Sequence, residues 1–372
     1  MLPQSDFCNF ILWRQQLILH NSKQNIETVF IKNALNKTKT TYPKQGTIRL
    51  YLRQEQTMSF TLLSSPLQGF TDFRFRNAQQ KYFGGIDTFY APYIRLNGKL
   101  KVKLSYERDL LPEHNTTLEV IPQVITNDAE EFLFVAKYVQ QFGYKELNWN
   151  LGCPYPMVTN RGMGSGLICD PKKIDDILHR AHNETDILVS MKMRMGYENN
   201  DEILHTFPIL DKYPLKNVAI HARIGKQLYK GGVDLDAFQK CIDVANHKLY
   251  YNGDITSLAQ FKKMQERFPS IDHFMIGRGL IADPFLPSMI KNDTTEYPKN
   301  RWELFEAFHN EIYDQYDAAL SGPTPIKMKM LGFWEYFSRS FSNPQKTYKK
   351  IKKATNPVKY KQAVKEILNS ED

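Results

Sequence analysis

The sequence predicts an α/β protein: a (β/α)8 TIM barrel followed by a small all-helical C-terminal domain. Two observations lead to this fold class. Eight short β-rich runs recur between residues 58 and 285, and segments with apolar residues at helical spacing lie between them. Strands that alternate with helices form parallel sheets with right-handed crossovers, and eight such units in about 230 residues have the size of a closed barrel.

The eight predicted strands follow one another at regular intervals. They cover residues 62–67, 88–94, 119–124, 146–151, 187–194, 217–223, 248–252 and 273–277. Two helical segments between them, 128–142 and 170–183, open with an aspartate in the capping position, which marks a helix start. An open doubly wound sheet is the competing fold, and it typically has a glycine-rich turn after its first strand. Here that strand ends in SPLQ (residues 65–68), which favours the barrel.

Composition excludes several classes of protein. The chain has 372 residues, enough to bury a full core without covalent crosslinks. Its four cysteines are too scattered for a disulfide scaffold, and no cysteine–histidine cluster has metal-binding spacing. No apolar run approaches the roughly 18–20 residues that a membrane span needs. We therefore expect a cytoplasmic protein with no metal, no membrane contact and no obligatory protein partner.

The basic excess lies at the two ends of the chain. The net charge is +9; residues 1–57 hold 8 basic and 3 acidic residues, and residues 326–372 hold 11 and 4. The middle, 58–325, holds 30 basic and 33 acidic residues. We expect a basic N-terminal leader over 1–57, disordered or an over-extended gene start, a catalytic barrel over 58–295 and a basic helical domain over 296–372.

The C-terminal segment interleaves aromatic residues with lysines. These residues are Phe333, Trp334, Tyr336, Phe337, Phe341, Tyr348 and Tyr360, with Lys346, Lys349, Lys350, Lys352 and Lys353. Lysines neutralise phosphates, while aromatic rings either fill a helical core or stack on unpaired bases. We expect most rings in the core and the lysines outside. The combination favours a nucleic-acid partner over the alternative, a merely solvated basic face.

Polar residues fall at the carboxyl end of six successive predicted strands, where barrels place their active sites. In chain order they are Gln123; Asn150 and Cys153; Lys192 and Arg194; His221 and Arg223; Asn252, Gly253 and Asp254; and Gly277, Arg278 and Gly279. The last two turns carry glycines and a cation at the strands where barrels frequently bind phosphate. The sequence therefore predicts a phosphate site for a phosphorylated substrate or a flavin mononucleotide.

Three residues of this set each have two interpretations. Lys192 lies in an apolar strand, so it is either a structural ion pair or a cation beside an electron-rich cofactor, because a buried unpaired ammonium is costly. His221 allows the same two roles. Cys153 lies in a tight Gly–Pro turn and is either a small buried hydrophobe or a general acid, since a thiol is protonated at neutral pH.

At this point the chain resembles the tRNA-dihydrouridine synthase family. The matching stretches are SPLQGFTDFRFR (65–76), ELNWNLGCPYPMV (146–158), GMGSGLICDP (162–171), MKMRMGY (191–197), IHARIGKQLYKG (220–231), YNGDI (251–255) and MIGRGLIADP (275–284). They span nearly the whole predicted barrel in order. PIKMKMLGFWEYF (325–337) is also similar to the helical C-terminal domain with which such enzymes hold tRNA.

The resemblance implies an FMN enzyme that takes hydride from NADPH (or NADH) and reduces the C5=C6 bond of a uridine in tRNA, with Cys153 protonating C5. It implies that the flavin is held by Pro66, Leu67, Gln68, Gln123, Lys192, His221, Asn252, Gly253, Asp254, Gly277 and Arg278. The residues that resemble uracil contacts are Asn150, Arg194 and Tyr229.

Two other functions remain open from the sequence. One is an FMN-dependent barrel oxidoreductase acting on a small molecule, similar to dihydroorotate dehydrogenase, which would share the phosphate turns but needs no basic C-terminal segment. The other is an RNA-binding barrel that has lost its chemistry. Which uridine and which tRNAs are modified does not follow from the sequence.

Overall fold

In the computed structural model, residues 59–371 are described, and the predicted leader over 1–57 lies outside them. Within the described part, nine parallel strands form one sheet. They are β1 (Thr61–Ser64), β2 (Thr88–Tyr90), β3 (Val120–Ile121), β4 (Gln123–Val124), β5 (Glu146–Leu151), β6 (Leu188–Gly196), β7 (Val218–Ile224), β8 (Leu249–Asn252) and β9 (His273–Ile276). Each predicted run overlaps an observed strand, and the predicted barrel is confirmed.

The sheet closes because β3 and β4 are two pieces of one strand. The strand order runs β3-β2-β1-β9-β8-β7-β6-β5-β4, so the two pieces form its two ends. Pro122 separates them, since proline has no N–H to donate to a ladder. Its carbonyl nevertheless accepts a hydrogen bond from the backbone N–H of Asn148 at 2.9 Å. The third strand thus pairs with β2 through one half and with β5 through the other.

Helices cover the outside of the barrel and continue beyond it. Between residues 59 and 371 they are α1 (Phe73–Tyr82), α2 (Leu104–Leu110), α3 (Ala129–Gln140), α4 (Pro156–Thr159), α5 (Pro171–Glu184), α6 (Glu202–Leu210), α7 (Leu235–Val244), α8 (Leu258–Arg267), α9 (Arg278–Ala282), α10 (Leu286–Lys291), α11 (Arg301–Ala319), α12 (Pro323–Phe337), α13 (Pro344–Lys353) and α14 (Pro357–Leu368). Short 3-10 turns lie at Pro112–His114, Gly164–Leu167 and Ser338–Ser340. None of these helices is long and apolar enough to cross a bilayer.

The two predicted helix starts are confirmed. The Asp128 carboxylate accepts the backbone N–H of Glu131 at 2.9 Å and caps α3. The Asp170 carboxylate accepts the N–H of Lys173 at 3.1 Å and caps α5. Each bond satisfies one of the donors that a helix start leaves without a partner in the helix.

The barrel interior is filled by a small cluster of its own. Its residues are Leu63, Tyr90, Ile121, Ala219, Tyr250 and Met275. A larger cluster lies between the strands and the helices, because neighbouring residues along a strand face opposite sides of the sheet. Leu62 and Leu63 show this alternation, since they belong to the outer and inner clusters respectively.

The C-terminal helices α11 to α14 continue the outer core. As predicted, most of the aromatic rings are buried: Phe333, Trp334, Phe337, Phe341 and Tyr360 are buried, while Tyr336 and Tyr348 are half-buried. Lys346, Lys349, Lys352 and Lys353 are exposed. The Phe308 ring of α11 meets the Phe75 ring of α1 at 5.9 Å. The boundary predicted after residue 295 falls between α10 and α11, within this continuous packing.

Candidate active site

A cavity of about 1040 Å³ opens at the carboxyl end of the strands. Thirteen of the predicted site residues line it: Pro66, Leu67, Gln68, Asn150, Cys153, Lys192, His221, Tyr229, Asn252, Gly253, Asp254, Gly277 and Arg278. Gln123 and Arg194 do not. The strand ends therefore bring most of the predicted residues to one cavity, because all strands of a parallel barrel end on the same side.

Gln123 lies beneath the cavity and uses both ends of its amide inside the protein. Its Nε2 donates to Asn148 Oδ1 at 2.7 Å, and its Oε1 accepts from Asn150 Nδ2 at 2.8 Å. The side chain is fully buried. Gln123 thus orients Asn150, and its predicted contact with a ligand stays a prediction.

Asn150 holds the loop that carries the thiol. Its Oδ1 accepts hydrogen bonds from the backbone N–H groups of Gly152 and Cys153, both at 2.9 Å. Its Nδ2 donates to Gln123, so both ends of the amide have partners within the protein. From the other side, the Ser165 N–H donates to the Cys153 carbonyl at 3.0 Å. Gly164 has φ +58, and a Cβ there would come 2.5 Å from the same carbonyl, so glycine is required. Cys153 is therefore held from both sides.

The Cys153 thiol lies at the edge of the cavity and is 9% exposed. It packs in a small apolar cluster with Ile125, Val158 and Met163, and the Tyr93 ring covers it. Burial raises the pKa of the Cys153 thiol above its ordinary value. The thiol is therefore protonated at neutral pH and can act as a proton donor. Tyr93 also lines the cavity; sequence reasoning missed it because a tyrosine in an apolar stretch gives no polar signal.

Arg194 is fully buried behind the thiol loop and is not among the residues that line the cavity. Its Nε donates to the Gly152 carbonyl at 3.1 Å, and its Nη1 donates to the Ile224 carbonyl at 2.5 Å. Its Nη2 is buried and has no partner among the described residues. Burial lowers the pKa of the guanidinium to about 10, which leaves it charged at neutral pH. Arg194 therefore joins the thiol loop to the end of β7 and retains a free donor.

Lys192 is a buried cation without a counter-charge. Its Nζ donates to Asn252 Oδ1 at 2.8 Å, and Asn252 Nδ2 donates to the Met275 carbonyl at 2.8 Å. Among residues 59–371, no carboxylate lies within 4 Å of the ammonium. Burial, helped by the charge of Arg194, lowers the pKa of Lys192 to about 7. The structural ion pair is absent from the described part of the chain, and the amine, which loses its proton near neutral pH, lines the cavity.

Asp254 bridges two guanidinium groups at the end of the cavity nearest the glycine turns. Its Oδ1 accepts from Arg223 Nη1 and from Arg278 Nη2, each at 2.9 Å, and its Oδ2 accepts from Arg223 Nη2. Arg223 Nη1 also lies 3.1 Å from His221 Nε2. Burial and the surrounding cations lower the pKa of His221 well below its ordinary value, so the imidazole is neutral. The Asp254 carboxylate thus positions the guanidinium groups of Arg223 and Arg278, which together can bind an anion.

Arg223 was noted at a strand end but was not among the predicted site residues. The available signal was its spacing, because residues two apart on a strand face the same side, and His221 faces the cavity.

Tyr229 lies close to two guanidinium groups. The guanidinium of Arg278 lies 4.3 Å from the centroid of the Tyr229 ring, and that of Arg194 lies 5.3 Å from it. Tyr229 therefore sits between two cations at the rim, where its ring stabilises both.

The two glycine turns touch each other. A Cβ at Gly279 would come 2.2 Å from the Ile255 carbonyl, so glycine is required where the turn after β9 meets the turn after β8. This close approach places Gly253 and Gly277 on one wall of the cavity. The predicted convergence of the two turns is therefore present in the structure.

The C-terminal region supplies a further wall of the cavity. Its lining residues include Tyr297, Arg301, Tyr336, Arg339 and Phe341. Tyr336 and Phe341 belong to the rings of which most were expected in the core, and both also line the cavity. The described residues hold no cluster of His, Cys, Asp and Glu that could bind a metal ion. The cavity as a whole offers three functions. Its arginines can bind an anion, Lys192 can place a positive charge beside a ligand ring, and the Cys153 thiol can donate a proton.

Comparison with known proteins agrees with this chemistry. The sequence profile of the dihydrouridine synthase family matches residues 62–370. The chain is 24% identical over 320 residues to the probable tRNA-dihydrouridine synthase of Rickettsia bellii (strain RML369-C), covering 84% of this chain and 96% of that protein. It is 28% identical over 276 residues to the probable tRNA-dihydrouridine synthase 2 of Bacillus subtilis (strain 168), covering 70% and 80%. Among solved structures, 2-naphthoyl-CoA reductase overlaps 63% of this chain and 50% of its own with a TM-score of 0.49 and 10% identity, too distant to bear on function.

Proposed function

This chain belongs to the dihydrouridine synthase family, and from that premise we propose that it reduces the C5=C6 bond of uridines in tRNA to give 5,6-dihydrouridine. The observation that carries the proposal is the composition of the cavity: it is lined by a protonated thiol, by Lys192 without a carboxylate partner, and by two arginines held by Asp254. A uracil ring between them would meet a proton donor on one face.

The cavity fits FMN by the chemistry of its donors. His221, Arg223 and Arg278 gather beside the two glycine turns, where a phosphate would lie. Lys192 lacks a counter-charge, and an anion-forming ring beside it would supply one. The volume of about 1040 Å³ exceeds what one cofactor occupies and leaves room for a base. When bound, FMN supplies hydride transfer, from NADPH (or NADH) to C6 of the uracil.

The residues that would hold the flavin are distributed around the cavity. We assign its ring to Pro66, Leu67 and Gln68, its polar edge to Lys192, and its phosphate to the group of His221, Asn252, Gly253, Gly277 and Arg278. Asp254 acts through the arginines, because its carboxylate would repel a phosphate and is already bonded to both guanidinium groups. Arg223 joins the phosphate group as a residue that sequence reasoning did not select.

Cys153 supplies the proton. Its S–H bond breaks as the C5–H bond of the product forms, and the thiolate then takes a proton from solvent. The charge of Arg194 lowers the pKa of the thiol against the larger effect of burial, so the transient thiolate is stabilised. The bonds from Asn150 and Ser165 keep the loop in place while the thiol reacts.

The polynucleotide would be held outside the barrel. We assign this role to residues 296–372, where Lys346, Lys349, Lys352 and Lys353 are exposed on and beside α13. Lysines that contact phosphates release counterions and give binding energy. That energy offsets the few kcal/mol needed to pull the target base out of the tRNA fold.

The test is purification followed by a reduction assay. We expect yellow protein with flavin absorbance that forms dihydrouridine in unmodified tRNA transcripts when NADPH is supplied, measured by mass spectrometry of nucleosides. Flavin-loaded protein that oxidises NADPH, reduces a small unsaturated substrate and leaves every tRNA unchanged would identify a small-molecule oxidoreductase. Protein that binds tRNA but no flavin would identify an RNA-binding barrel without redox chemistry.

A further inference from the structure

The loop between β2 and α2 carries a basic face, although the segment of the chain in which it lies has no net positive charge. Lys99, Lys101 and Lys103 are all exposed. Among the described residues, no carboxylate lies within 4 Å of any of the three ammonium groups. Yet residues 58–325 hold slightly more acidic than basic residues overall. The three lysines therefore form a local positive patch on a nearly neutral barrel.

The acidic residues around this loop already have other partners. The Glu131 carboxylate accepts the backbone N–H of Gly98 at 2.5 Å and the hydroxyl of Thr126 at 2.6 Å. Glu107 accepts from the hydroxyl of Tyr138, and Asp109 pairs with buried Arg76 at 3.2 Å. The oxygens of these carboxylates are thus directed to other donors, and none of the three carboxylates forms an ion pair with Lys99, Lys101 or Lys103.

The loop is anchored, so it presents the lysines in a defined arrangement. Asn97 and Gly98 have φ values of 60° and 77°, a tight turn that the bond to Glu131 holds. Val102 is buried, with 7% exposure, between two exposed lysines. Side chains that alternate along an extended segment point to opposite sides. Lys101 and Lys103 therefore face solvent because Val102 faces the core.

The loop borders the cavity on the side of Cys153. It follows the carboxyl end of β2, and Tyr93, at its start, lines the cavity beside the thiol. The C-terminal helices border the cavity elsewhere: Lys329 Nζ donates to the Gly69 carbonyl at 2.6 Å, and Ser340 Oγ donates to the Ala282 carbonyl at 2.6 Å. The loop and the C-terminal helices therefore reach the cavity at different places, one after β2 and the other after β1 and β9.

Exposed apolar side chains accompany the lysines. Leu100 on this loop is 53% exposed, and Leu104, the first residue of α2, is 70% exposed. Just after Cys153, Tyr155 is 50% exposed and Met157, in α4, is 73% exposed. Tyr155 is the aromatic member of this set, and positive charge beside exposed aromatic rings is typical of surfaces that bind unpaired nucleic acid.

We propose that Lys99, Lys101 and Lys103 form a second tRNA-binding face, which holds the backbone of the strand that leaves the target uridine on the Cys153 side of the mouth. The inference rests on the proposed function. A nucleotide inserted into the cavity has a phosphodiester on each side, so its strand leaves the mouth in two directions. The C-terminal lysines bind the strand on one side of the target nucleotide, and the lysines of this loop bind it on the other side.

The experiment compares three variants of the full-length, flavin-loaded protein. Lys99→Ala, Lys101→Ala and Lys103→Ala together remove the patch, and the same positions changed to Arg keep its charge. The control is Lys137→Ala, Lys145→Ala and Lys263→Ala, which removes three exposed lysines away from the mouth. The Kd for unmodified tRNA is measured at several salt concentrations, together with the KM for tRNA and the rate of flavin reduction by NADPH.

We expect the Ala loop variant to bind tRNA about tenfold or more weakly at low salt, with a shallower dependence of log Kd on log salt, by about 0.7 for each lost phosphate contact. The KM for tRNA rises, flavin reduction by NADPH is unchanged, and the Arg variant binds like wild type. The inference is overturned if the loop variant matches wild type, or if the control loses as much affinity. A wild-type protein that binds no tRNA at low salt would instead overturn the proposed function.

Discussion

The two ends of the barrel differ in how their charged side chains are paired. At the amino end, Lys216 pairs with Glu146 at 2.6 Å, and Lys248 and His273 both meet Asp272, at 3.1 and 2.6 Å. At the carboxyl end, Lys192 and Arg194 have no carboxylate partner among the described residues. There Arg223 and Arg278 share Asp254. Among the described residues, these amino-end charges are paired with one another, whereas Lys192 and Arg194 at the carboxyl end are buried without a carboxylate.

The difference shows which end serves stability and which serves binding. Burying an unpaired charge costs several kcal/mol, and the lowered pKa of Lys192 reflects that cost. Lys216 and Lys248 carry no such cost, because their side chains are 43% and 47% exposed and each pairs with a carboxylate. A bound anion would therefore gain more from Lys192 than from either lysine at the amino end. The lysine that lacks a partner, rather than the lysine that has one, therefore points to the functional end of the barrel.

The largest effect we expect comes from the thiol at the carboxyl end. Cys153→Ala should lower dihydrouridine formation about 10²- to 10⁴-fold, because general acid catalysis typically contributes that much. Flavin content and tRNA affinity should stay near wild type. Cys153→Ser should also be impaired, since a hydroxyl is a far weaker acid. Single-turnover formation of dihydrouridine by flavin-reduced protein measures the loss.

Cys241 is the matched control for this prediction. It is a buried thiol in α7, away from the cavity. Cys241→Ala should leave the rate of dihydrouridine formation unchanged. Wild-type turnover by Cys153→Ala at neutral pH would remove Cys153 from the mechanism.

The second prediction compares one lysine from each end. Lys192→Ala should weaken FMN binding about tenfold or more and slow flavin reduction by NADPH, because the flavin loses its cation. The barrel should remain folded, since the variant also loses a desolvation cost. Lys216→Ala at the amino end should leave FMN affinity unchanged. Fluorescence titration of apoprotein with FMN measures both, and equal affinities in the two variants would reassign Lys192 to a structural role.

The third prediction concerns the pH dependence of apoprotein stability. Burial lowers the pKa of Lys192 to about 7 from an ordinary value near 10.4. Between these values the unfolded chain holds a proton that the folded chain lacks, so the free energy of unfolding should rise as pH increases from about 7 to about 10. The rise is of the order of a few kcal/mol. In Lys192→Ala this contribution should vanish. Denaturant unfolding at a series of pH values tests it, and identical profiles would contradict it.

The smallest effect we expect lies outside the barrel, on α13. Lys349→Ala, Lys350→Ala, Lys352→Ala and Lys353→Ala together should weaken tRNA binding and flatten its salt dependence. Lys350 pairs with Glu366 at 2.8 Å, so a triple variant that spares it should reproduce most of the loss. FMN content and oxidation of NADPH by oxygen should not change. Unchanged tRNA affinity with the same salt slope would show that these lysines are only a solvated face.

Local patterns were sufficient to predict the strands and to select thirteen residues that line one cavity. Each strand run and each capping aspartate lies within a few residues of sequence, so its signal is complete in the chain itself. Parallel strands bring their carboxyl ends together, and thirteen predicted residues therefore line one cavity. The same reasoning could not show that Gln123 lies outside the cavity lining. A position at a strand end does not reveal that its amide bonds to Asn148 and Asn150.

Only the tertiary structure decided how distant segments meet. The sequence by itself determined the order of strands and helices, the glycine turns, the thiol loop and the excess of charge at the two ends of the chain. The fold decided that Asp254 bridges Arg223 and Arg278, that Arg194 turns toward the thiol loop, and that Lys192 has no carboxylate beside it. Charge summed along a chain averages over residues that folding separates, whereas pairing depends on distances of a few ångströms between residues far apart in sequence.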